Sequence, residues 1–236
     1  MQKNLHKNMS KIVKSQGLNL QVEFSSVNEQ NDKSTESVKL KGKRTSEYEI
    51  HPMLDKRTKV INSLESMNEQ IENLQYWLMK AEPDSRIVKG KDVKFSINDL
   101  ADMPDGVSQW DGVRNYEARN IMKDKMKIGD KVLFYHSNCK TPGIAGLAEI
   151  VKEAYPDYTA FDEFHPYYDP KSNKDNPRWF MVDVKFVRKF KRLITLKELQ
   201  THRDKLKDMT LLSRGRLSIQ PVKKEHYRFI LELENQ

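Results

Sequence analysis

The distribution of aromatic residues divides this chain of 236 residues into two unequal parts. The sequence holds 9 Tyr, 9 Phe and 3 Trp, and only Phe24 and Tyr48 of these precede Tyr76. A segment with so few large apolar side chains cannot offset the conformational entropy that is lost on folding. The distribution therefore predicts a disordered polar tail over residues 1–75 and one folded domain over residues 76–236.

Charge and composition narrow the classes of function. The chain has 42 Lys and Arg against 34 Asp and Glu, a net charge of +8, and residues 76–236 hold 30 and 24 of them. This excess suits a polyanionic partner. The mean hydropathy of −0.81 and the absence of a long apolar run predict no membrane span. A single cysteine, Cys139, excludes an intramolecular disulfide and a multi-cysteine zinc site. A nucleic-acid binder, an enzyme and an interaction module remain open.

Hydrophobic patterning in the second part predicts an α+β fold. Alternating or continuous apolar residues predict strands over 76–79, 131–136, 143–151 and 179–190. Helical spacing and capping residues predict helices that begin near Ser96 and over 114–126, 195–206 and 221–233. Strands outnumber helices and neighbouring strands read as antiparallel, which favours a curved sheet or small barrel over a doubly wound fold.

Two short basic clusters lie in the predicted tail, at residues 39–44 and 56–59. Clusters of this kind serve as nuclear import signals or contact phosphates. A solvated disordered tail explains them equally well.

The sequence predicts no metal and no cofactor. Its histidines are scattered, and it contains no HExxH, no Walker loop and no GxGxxG. The densest candidate for a metal site is Asp162, Glu163, His165 and Asp169, and solvated loop charges explain that group better.

The segment from Trp110 to Tyr116 is the most informative motif. It places an aromatic ring beside Asp111, Arg114 and Asn115, which supply hydrogen-bonding groups. A nucleobase pocket needs an aromatic face together with donors and acceptors for the base edge. The alternative is structural: Asp111 caps the next helix, Arg114 pairs with it, and Trp110 is a core residue.

Several segments together resemble the EVE domain family of the PUA-like superfamily, which also includes the YTH and ASCH domains. The resemblance covers residues 76–234 and rests on these segments: 77–83 (WLMKAEP), 110–120 (WDGVRNYEARN), 134–139 (FYHSNC), 142–146 (PGIAG), 168–170 (YDP), 176–179 (NPRW), 181–184 (MVDV) and 216–221 (RLSIQP). It implies an α+β domain built on a small curved β-barrel with flanking helices.

The resemblance also implies a function. Relatives in this superfamily bind nucleic acid and often insert one modified base into a pocket. We therefore expect a nuclear, monomeric, non-enzymatic reader of 5-hydroxymethylcytosine or 5-methylcytosine in DNA, without a cofactor. The implied nucleobase-binding residues are Trp77, Lys80, Glu82, Trp110, Asp111, Arg114, Asn115, Tyr135, His136, Ser137 and Trp179. The family usually has Ser where this chain has Ala81, which removes a hydroxyl from the implied pocket rim.

Phosphate contacts complete this hypothesis, because basic side chains supply salt-sensitive affinity. The candidates are Arg119, Lys123, Arg188, Lys189, Lys191, Arg192, Arg214 and Arg216. Three alternatives stay open. One is a reader of modified RNA. Another is an enzyme that uses Asp111 and His136 as acid and base and Cys139 as a nucleophile. The last is a protein-interaction module that binds through its tail.

Overall fold

The computed structural model describes residues 73–236. The predicted disorder of residues 1–75 therefore lies outside the described residues except for the last three positions. Both basic clusters of the predicted tail lie outside them as well.

The described chain is a mixed α+β domain with eight strands and five α-helices. The strands are β1 (Tyr76–Ala81), β2 (Ile87–Val88), β3 (Lys91–Asp92), β4 (Val107–Gln109), β5 (Lys131–His136), β6 (Gly143–Pro156), β7 (Phe180–Thr195) and β8 (Ile219–Val222). The helices are α1 (Ile97–Ala101), α2 (Tyr116–Asp124), α3 (Leu196–Thr201), α4 (Thr210–Ser213) and α5 (Lys224–Leu233). Two single turns of 3-10 helix span Pro104–Gly106 and Tyr158–Phe161.

Six strands form one sheet in the order β4-β7-β6-β5-β1-β8, and β2 and β3 form a separate hairpin. Most neighbours are antiparallel, as predicted, but β1 and β5 are parallel, with Tyr76 opposite Lys131. A parallel pair needs a crossover connection, and α1, β4 and α2 lie along the chain between these two strands. Register shifts within the β5–β6 and β6–β7 pairs disrupt the regular ladder, and such bulges bend and twist strands. The predicted α+β fold with a curved sheet is confirmed.

Both faces of the sheet are buried. In β1, Trp77 and Met79 belong to one hydrophobic cluster, whereas the intervening Leu78 belongs to the other. Helices α1 and α2 cover the first face, and α3, α4 and α5 cover the second. Strands that are buried on both sides read as continuous apolar runs, which explains the sequence of β1 and β5.

Helix caps follow the local sequence. The predicted capping box at Ser96 is present, because its hydroxyl accepts from the Asp99 amide at 3.2 Å and the Asp99 carboxylate accepts from the Ser96 amide at 2.7 Å. Helix α2 is capped by Asn115, whose side chain accepts from the Ala118 amide at 3.0 Å. The alternative that assigned this cap to Asp111 is wrong.

The C-terminal prediction needs a correction. Pro221 does not begin the last helix: it lies in β8, opposite Trp77 of β1, and α5 begins at Lys224. Strand β8 is at the edge of the sheet, where a residue without an amide hydrogen costs no ladder bond. None of the helices in residues 73–236 combines the length and apolarity needed to cross a bilayer.

Candidate functional site

An open cleft of about 800 Å³ lies beside the ends of β1 and β5, and its volume is within the range of small-molecule sites. Its wall is built from several chain segments: 80–82, 91–95, Met103, 108–115, 137–138, 165–167, 215–216 and Ser218. Seven of the predicted nucleobase-binding residues line it, namely Lys80, Glu82, Trp110, Asp111, Arg114, Asn115 and Ser137.

Trp110 is both a cleft residue and a core residue. Its side chain is only 6% exposed, and it packs edge-to-face with Phe134 and Phe95, with ring centroids 5.5 and 6.0 Å away. Most of the indole surface is thus occupied by protein. The part that reaches the cleft forms a fixed apolar wall.

Asp111 has an unusual protonation equilibrium. Burial, and then the negative charge of Asp157, raise the pKa of Asp111 to about 6, and the positive charge of Arg114 offsets part of this. A carboxyl group with this pKa is mostly ionised at neutral pH but is readily protonated. It can therefore accept a hydrogen bond as an anion or donate one when neutral.

A buried ion pair holds the Trp110–Asn115 loop in place. Arg114 donates from Nη1 to Asp157 at 2.7 Å and from Nε to the Tyr167 carbonyl at 2.9 Å. The side chain of Asp157 is fully buried, and it also accepts from the Gly112 and Thr159 amides at 3.0 Å. The guanidinium of Arg114 is therefore committed to the protein, and it orders the cleft wall.

Gly112 lets this loop approach the Tyr167 ring. Its φ is +72°, in the region that glycine adopts without a steric penalty. A Cβ atom at this position would overlap the Tyr167 ring. Tyr167 and the 110–115 loop thus fit together only because residue 112 has no side chain.

Lys80 connects the end of β1 to the loop before β8. Its Nζ donates to the Gly215 carbonyl at 2.7 Å and lies 5.5 Å from the centre of the Tyr135 ring. Burial lowers the pKa of Lys80 to about 8. The lysine retains a positive charge at neutral pH and brings it into the cleft.

The remaining polar residues of the cleft each use part of their hydrogen-bonding capacity within the protein. Asn115 uses its amide oxygen to cap α2, and Glu82 pairs with Arg86 at 2.6 Å. The Ser137 hydroxyl donates to the Ala81 carbonyl at 3.1 Å, which leaves its lone pairs as acceptors.

Two predicted aromatic residues lie away from the cleft lining. The Trp77 indole is buried in the core and donates to Asp130 at 2.8 Å. The Trp179 indole donates to Asp169 at 2.7 Å and stacks on Tyr116, with centroids 4.9 Å apart. Their indole nitrogens are satisfied within the protein, so the structure does not bring these rings into the cleft.

Tyr135 and His136 also do not line the cleft. Tyr135 points into the hydrophobic cluster on the opposite face of the sheet. His136 Nε2 accepts from the Ile97 amide at 3.1 Å, and burial lowers the pKa of this imidazole. Burial raises the pKa of the Cys139 thiol. Neither change favours an imidazole–thiolate pair.

The eight predicted phosphate contacts do not form one surface. Arg216 lines the cleft and has no ion-pair partner among residues 73–236. Arg214 pairs with Glu117, Arg188 with Glu234 and Arg192 with Glu198, each through two hydrogen bonds of 2.5–2.8 Å. These three guanidinium groups are therefore partly neutralised.

The other four basic residues have varied surroundings. Arg119 donates to the Arg178 carbonyl at 2.7 Å, and Lys123 lies 4.7 Å from the centre of the Phe180 ring. Lys191 donates to the Asn235 side chain at 2.9 Å, and Lys189 is exposed on β7.

Sequence reasoning missed Phe95, Gln109, Asp157 and Tyr167. The proline-flanked run 166–170 contains two tyrosines and was the available signal for Tyr167. Asp157 gives no local signal, because its partner Arg114 is 43 residues away along the chain. Among residues 73–236, no group of three His, Cys, Asp or Glu side chains is arranged to hold a metal ion.

Comparison with known proteins assigns the family. The model of the EVE domain matches residues 75–233. Thymocyte nuclear protein 1 of Homo sapiens is 52% identical over 201 residues, which cover 76% of this chain and 89% of that protein. The crystal structure of human THYN1 protein in complex with DNA containing 5-methylcytosine has a TM-score of 0.67 at 55% identity, and the match covers 69% of this chain and 98% of that one.

A hypothetical protein from Leishmania major also has a similar structure, with a TM-score of 0.62 at 50% identity over 70% of this chain and 96% of its own. The family match spans nearly all of the described residues, and it agrees with the sequence motifs. This chain belongs to the EVE domain family.

Proposed function

We propose that this chain binds DNA and holds one modified cytosine, 5-methylcytosine or 5-hydroxymethylcytosine, in the cleft without transforming it. The observation that carries the proposal is the cleft of about 800 Å³, in which an aromatic wall adjoins Asp111 and Asn115. A relative of 55% identity has been solved with DNA containing 5-methylcytosine, which supports the same ligand class for this chain.

The base edge is read by Asp111 and Asn115 in this proposal. A carboxylate accepts from the exocyclic amino group of cytosine, and Asn115 retains an amide NH₂ because only its oxygen caps α2. Extrusion of a base costs a few kcal/mol. Stacking on an aromatic side chain returns ~1–3 kcal/mol per base, and the partly buried Phe95 and Tyr167 line the cleft beside Trp110. Lys80, Glu82, Arg114 and Ser137 complete the wall.

The substituent at carbon 5 meets one of two kinds of surface. A methyl group needs apolar contact, and Val93, Phe95 and Val113 provide it in the cleft. A hydroxymethyl group needs a hydrogen-bond partner as well, and Ser108 and Ser218 lie in the same wall. Ala81 also lines the cleft, so Ala81→Ser restores the hydroxyl that is usual in the family.

Phosphate contacts centre on Arg216, together with Lys91 at the cleft. Lys94 also lines the cleft, but its ammonium group pairs with Asp99 at 3.5 Å. Arg119, Lys123, Lys189 and Lys191 remain secondary candidates, whereas the ion pairs of Arg188, Arg192 and Arg214 reduce their availability. We assign Trp77, Tyr135, His136 and Trp179 to structural roles.

We further propose a nuclear location, which the name of the human relative supports, and a monomeric, non-enzymatic protein. The RNA-reader, enzyme and interaction-module alternatives predict other outcomes. An RNA reader would prefer RNA over DNA, and an enzyme would form product from a modified oligonucleotide. An interaction module would bind a partner only when residues 1–75 are present.

Binding by cleft variants tests the proposal. The full-length chain, Asp111→Ala and Lys197→Ala are titrated with oligonucleotides that carry cytosine or 5-methylcytosine. Lys197 is exposed on α3, on the opposite face of the sheet from α2. We expect Asp111→Ala to lose affinity by about tenfold, or ~1.4 kcal/mol, while Lys197→Ala stays within twofold of wild type. An unchanged affinity in Asp111→Ala would exclude the cleft as the base-binding site.

A further inference from the structure

The two most exposed large apolar side chains of the described residues belong to segments that contribute other residues to the cleft wall. Phe164 is 83% exposed, and Ile87 is 65% exposed. Phe164 immediately precedes His165, Pro166 and Tyr167, which line the cleft. Ile87 belongs to the β2–β3 hairpin, which contacts the same loop through a hydrogen bond of 3.3 Å from Lys89 Nζ to the His165 carbonyl.

The loop holds Phe164 outward by its own hydrogen bonds. The Phe164 amide donates to the Asp162 carboxylate at 3.0 Å, and the His165 amide donates to the Asp162 carbonyl at 2.9 Å. A second turn forms where the Tyr168 amide donates to the His165 carbonyl at 3.2 Å. The ring is thus presented at the tip of an ordered turn.

The charges around the ring indicate what it contacts. Asp162 and Glu163 precede it, so this tip is unsuited to a phosphate group. The faces of stacked bases are uncharged and apolar, and Lys89 and Lys91 on the neighbouring hairpin supply the positive charge for the strand beside them. A base that leaves a duplex also leaves a gap in the stack, and apolar side chains commonly insert between base steps.

From this position, exposure and turn geometry, we propose that Phe164 inserts into the DNA stack at the gap left by the cytosine that enters the cleft. The inference rests on the proposed function and deepens it, because it makes duplex DNA a ligand that this chain can bind with a specific side chain. A side chain that fills a gap lowers the free-energy cost of extrusion from a duplex. It gives little advantage on a single strand, in which the base is already free.

The experiment compares duplex and single-stranded oligonucleotides that carry one 5-methylcytosine. Full-length wild type, Phe164→Ala and Phe164→Trp are titrated with both, and Ile128→Ala serves as the matched control. Ile128 is 63% exposed and lies in the turn between α2 and β5. We expect Phe164→Ala to lose tenfold or more in affinity for the duplex and less than twofold for the single strand. Phe164→Trp should recover duplex binding, and Ile128→Ala should resemble wild type on both.

Equal losses on both ligands, no loss in Phe164→Ala, or wild-type binding to single strands alone would overturn the inference. Titration with the unmodified duplex distinguishes failure of the proposed function from failure of the Phe164 inference. If the wild type does not distinguish 5-methylcytosine from cytosine, the proposed function fails and the inference fails with it. If the wild type distinguishes them but Phe164→Ala binds normally, only the inference fails.

Discussion

The guanidinium of Arg114 donates to the buried carboxylate of Asp157 at 2.7 Å, and this pair joins the loop that carries Asp111 to the loop that carries Tyr167. The same carboxylate accepts from the Gly112 amide. Two walls of the cleft are therefore fixed relative to each other by Arg114, which a fully buried carboxylate holds in position.

Asp157→Ala should destabilise the domain by about 3–5 kcal/mol, because it leaves Arg114 without its buried partner. Arg214→Ala is the matched control: it breaks an exposed pair with Glu117, and exposed pairs contribute about 0–1 kcal/mol. Chemical denaturation of both variants measures the difference. Equal decreases in the free energy of unfolding would show that the buried Asp157–Arg114 pair contributes no more than an exposed ion pair.

Asp111 should make stability depend on pH. Its pKa is about 6 in the folded chain, against an ordinary value of 3.8, so folding takes up a proton between these values and the contribution of Asp111 to stability falls as pH rises through this window. Asp111→Asn should therefore be more stable than wild type at pH 7.5, by at most about 3 kcal/mol. The difference in stability between Asp111→Asn and wild type should nearly vanish at pH 4. Denaturant titrations at both pH values test this, and a gap that is constant or reversed would contradict it.

Gly112→Ala should lower the free energy of unfolding by more than backbone strain alone accounts for. Adding a Cβ at a residue with φ of +72° destabilises the fold by about 1–2 kcal/mol. At Gly112 the added Cβ would also overlap the Tyr167 ring. Gly90→Ala separates these effects, since Gly90 has φ of +79° with open space around it. Thermal unfolding should show a larger loss of stability for Gly112→Ala than for Gly90→Ala. Similar behaviour of both variants would argue against close packing at Gly112.

Asn115 has two separable roles. Asn115→Ala removes the cap of α2 and should cost about 0.5–2 kcal/mol of stability. Asn115→Asp keeps a good cap and removes the amide NH₂. We therefore expect Asn115→Asp to fold normally and to lose part of the preference for modified cytosine. A variant that folds and binds as wild type would remove Asn115 from the set of base-reading residues.

Arg216 should contribute to the salt dependence of DNA binding. Neutralising a side chain that contacts one phosphate lowers the slope of log affinity against log salt by about 1. Arg216→Ala should show this decrease, whereas Arg203→Ala, in the exposed turn after α3, should keep the wild-type slope. Titrations at three salt concentrations give both slopes. The same slope in all three proteins would place the phosphates elsewhere.

The sequence predicts those features that local rules determine. The Ser96 capping box, the Asn115–Asp124 region as a helix and the apolar strands β1 and β5 follow from spacing over a few residues. The motif around Trp110 and Asp111 does line the cleft. Side-chain direction was harder to predict, because Trp77 and Tyr135 are in strands buried on both faces and alternation alone does not say which face meets the cleft.

Long-range contacts account for the remaining differences. Asp157 and Tyr167 reach the site through a turn-rich segment whose course depends on Arg114. Pro221 reads as the start of a helix until β8 is known to pair with β1 at the sheet edge. Arg188 is predicted to contact phosphate, but in the structure it pairs with Glu234, which is 46 residues away along the chain.

The most direct test of the account is a titration of the full-length chain with DNA that is identical except for one cytosine, 5-methylcytosine or 5-hydroxymethylcytosine, with matched RNA containing N6-methyladenosine. We predict a preference of at least about tenfold, or ~1.4 kcal/mol, for a modified cytosine in DNA, which persists when salt lowers all affinities. Equal and purely salt-dependent binding to every oligonucleotide would contradict the account. Such a result would mean that the chain contacts phosphates and does not read the base.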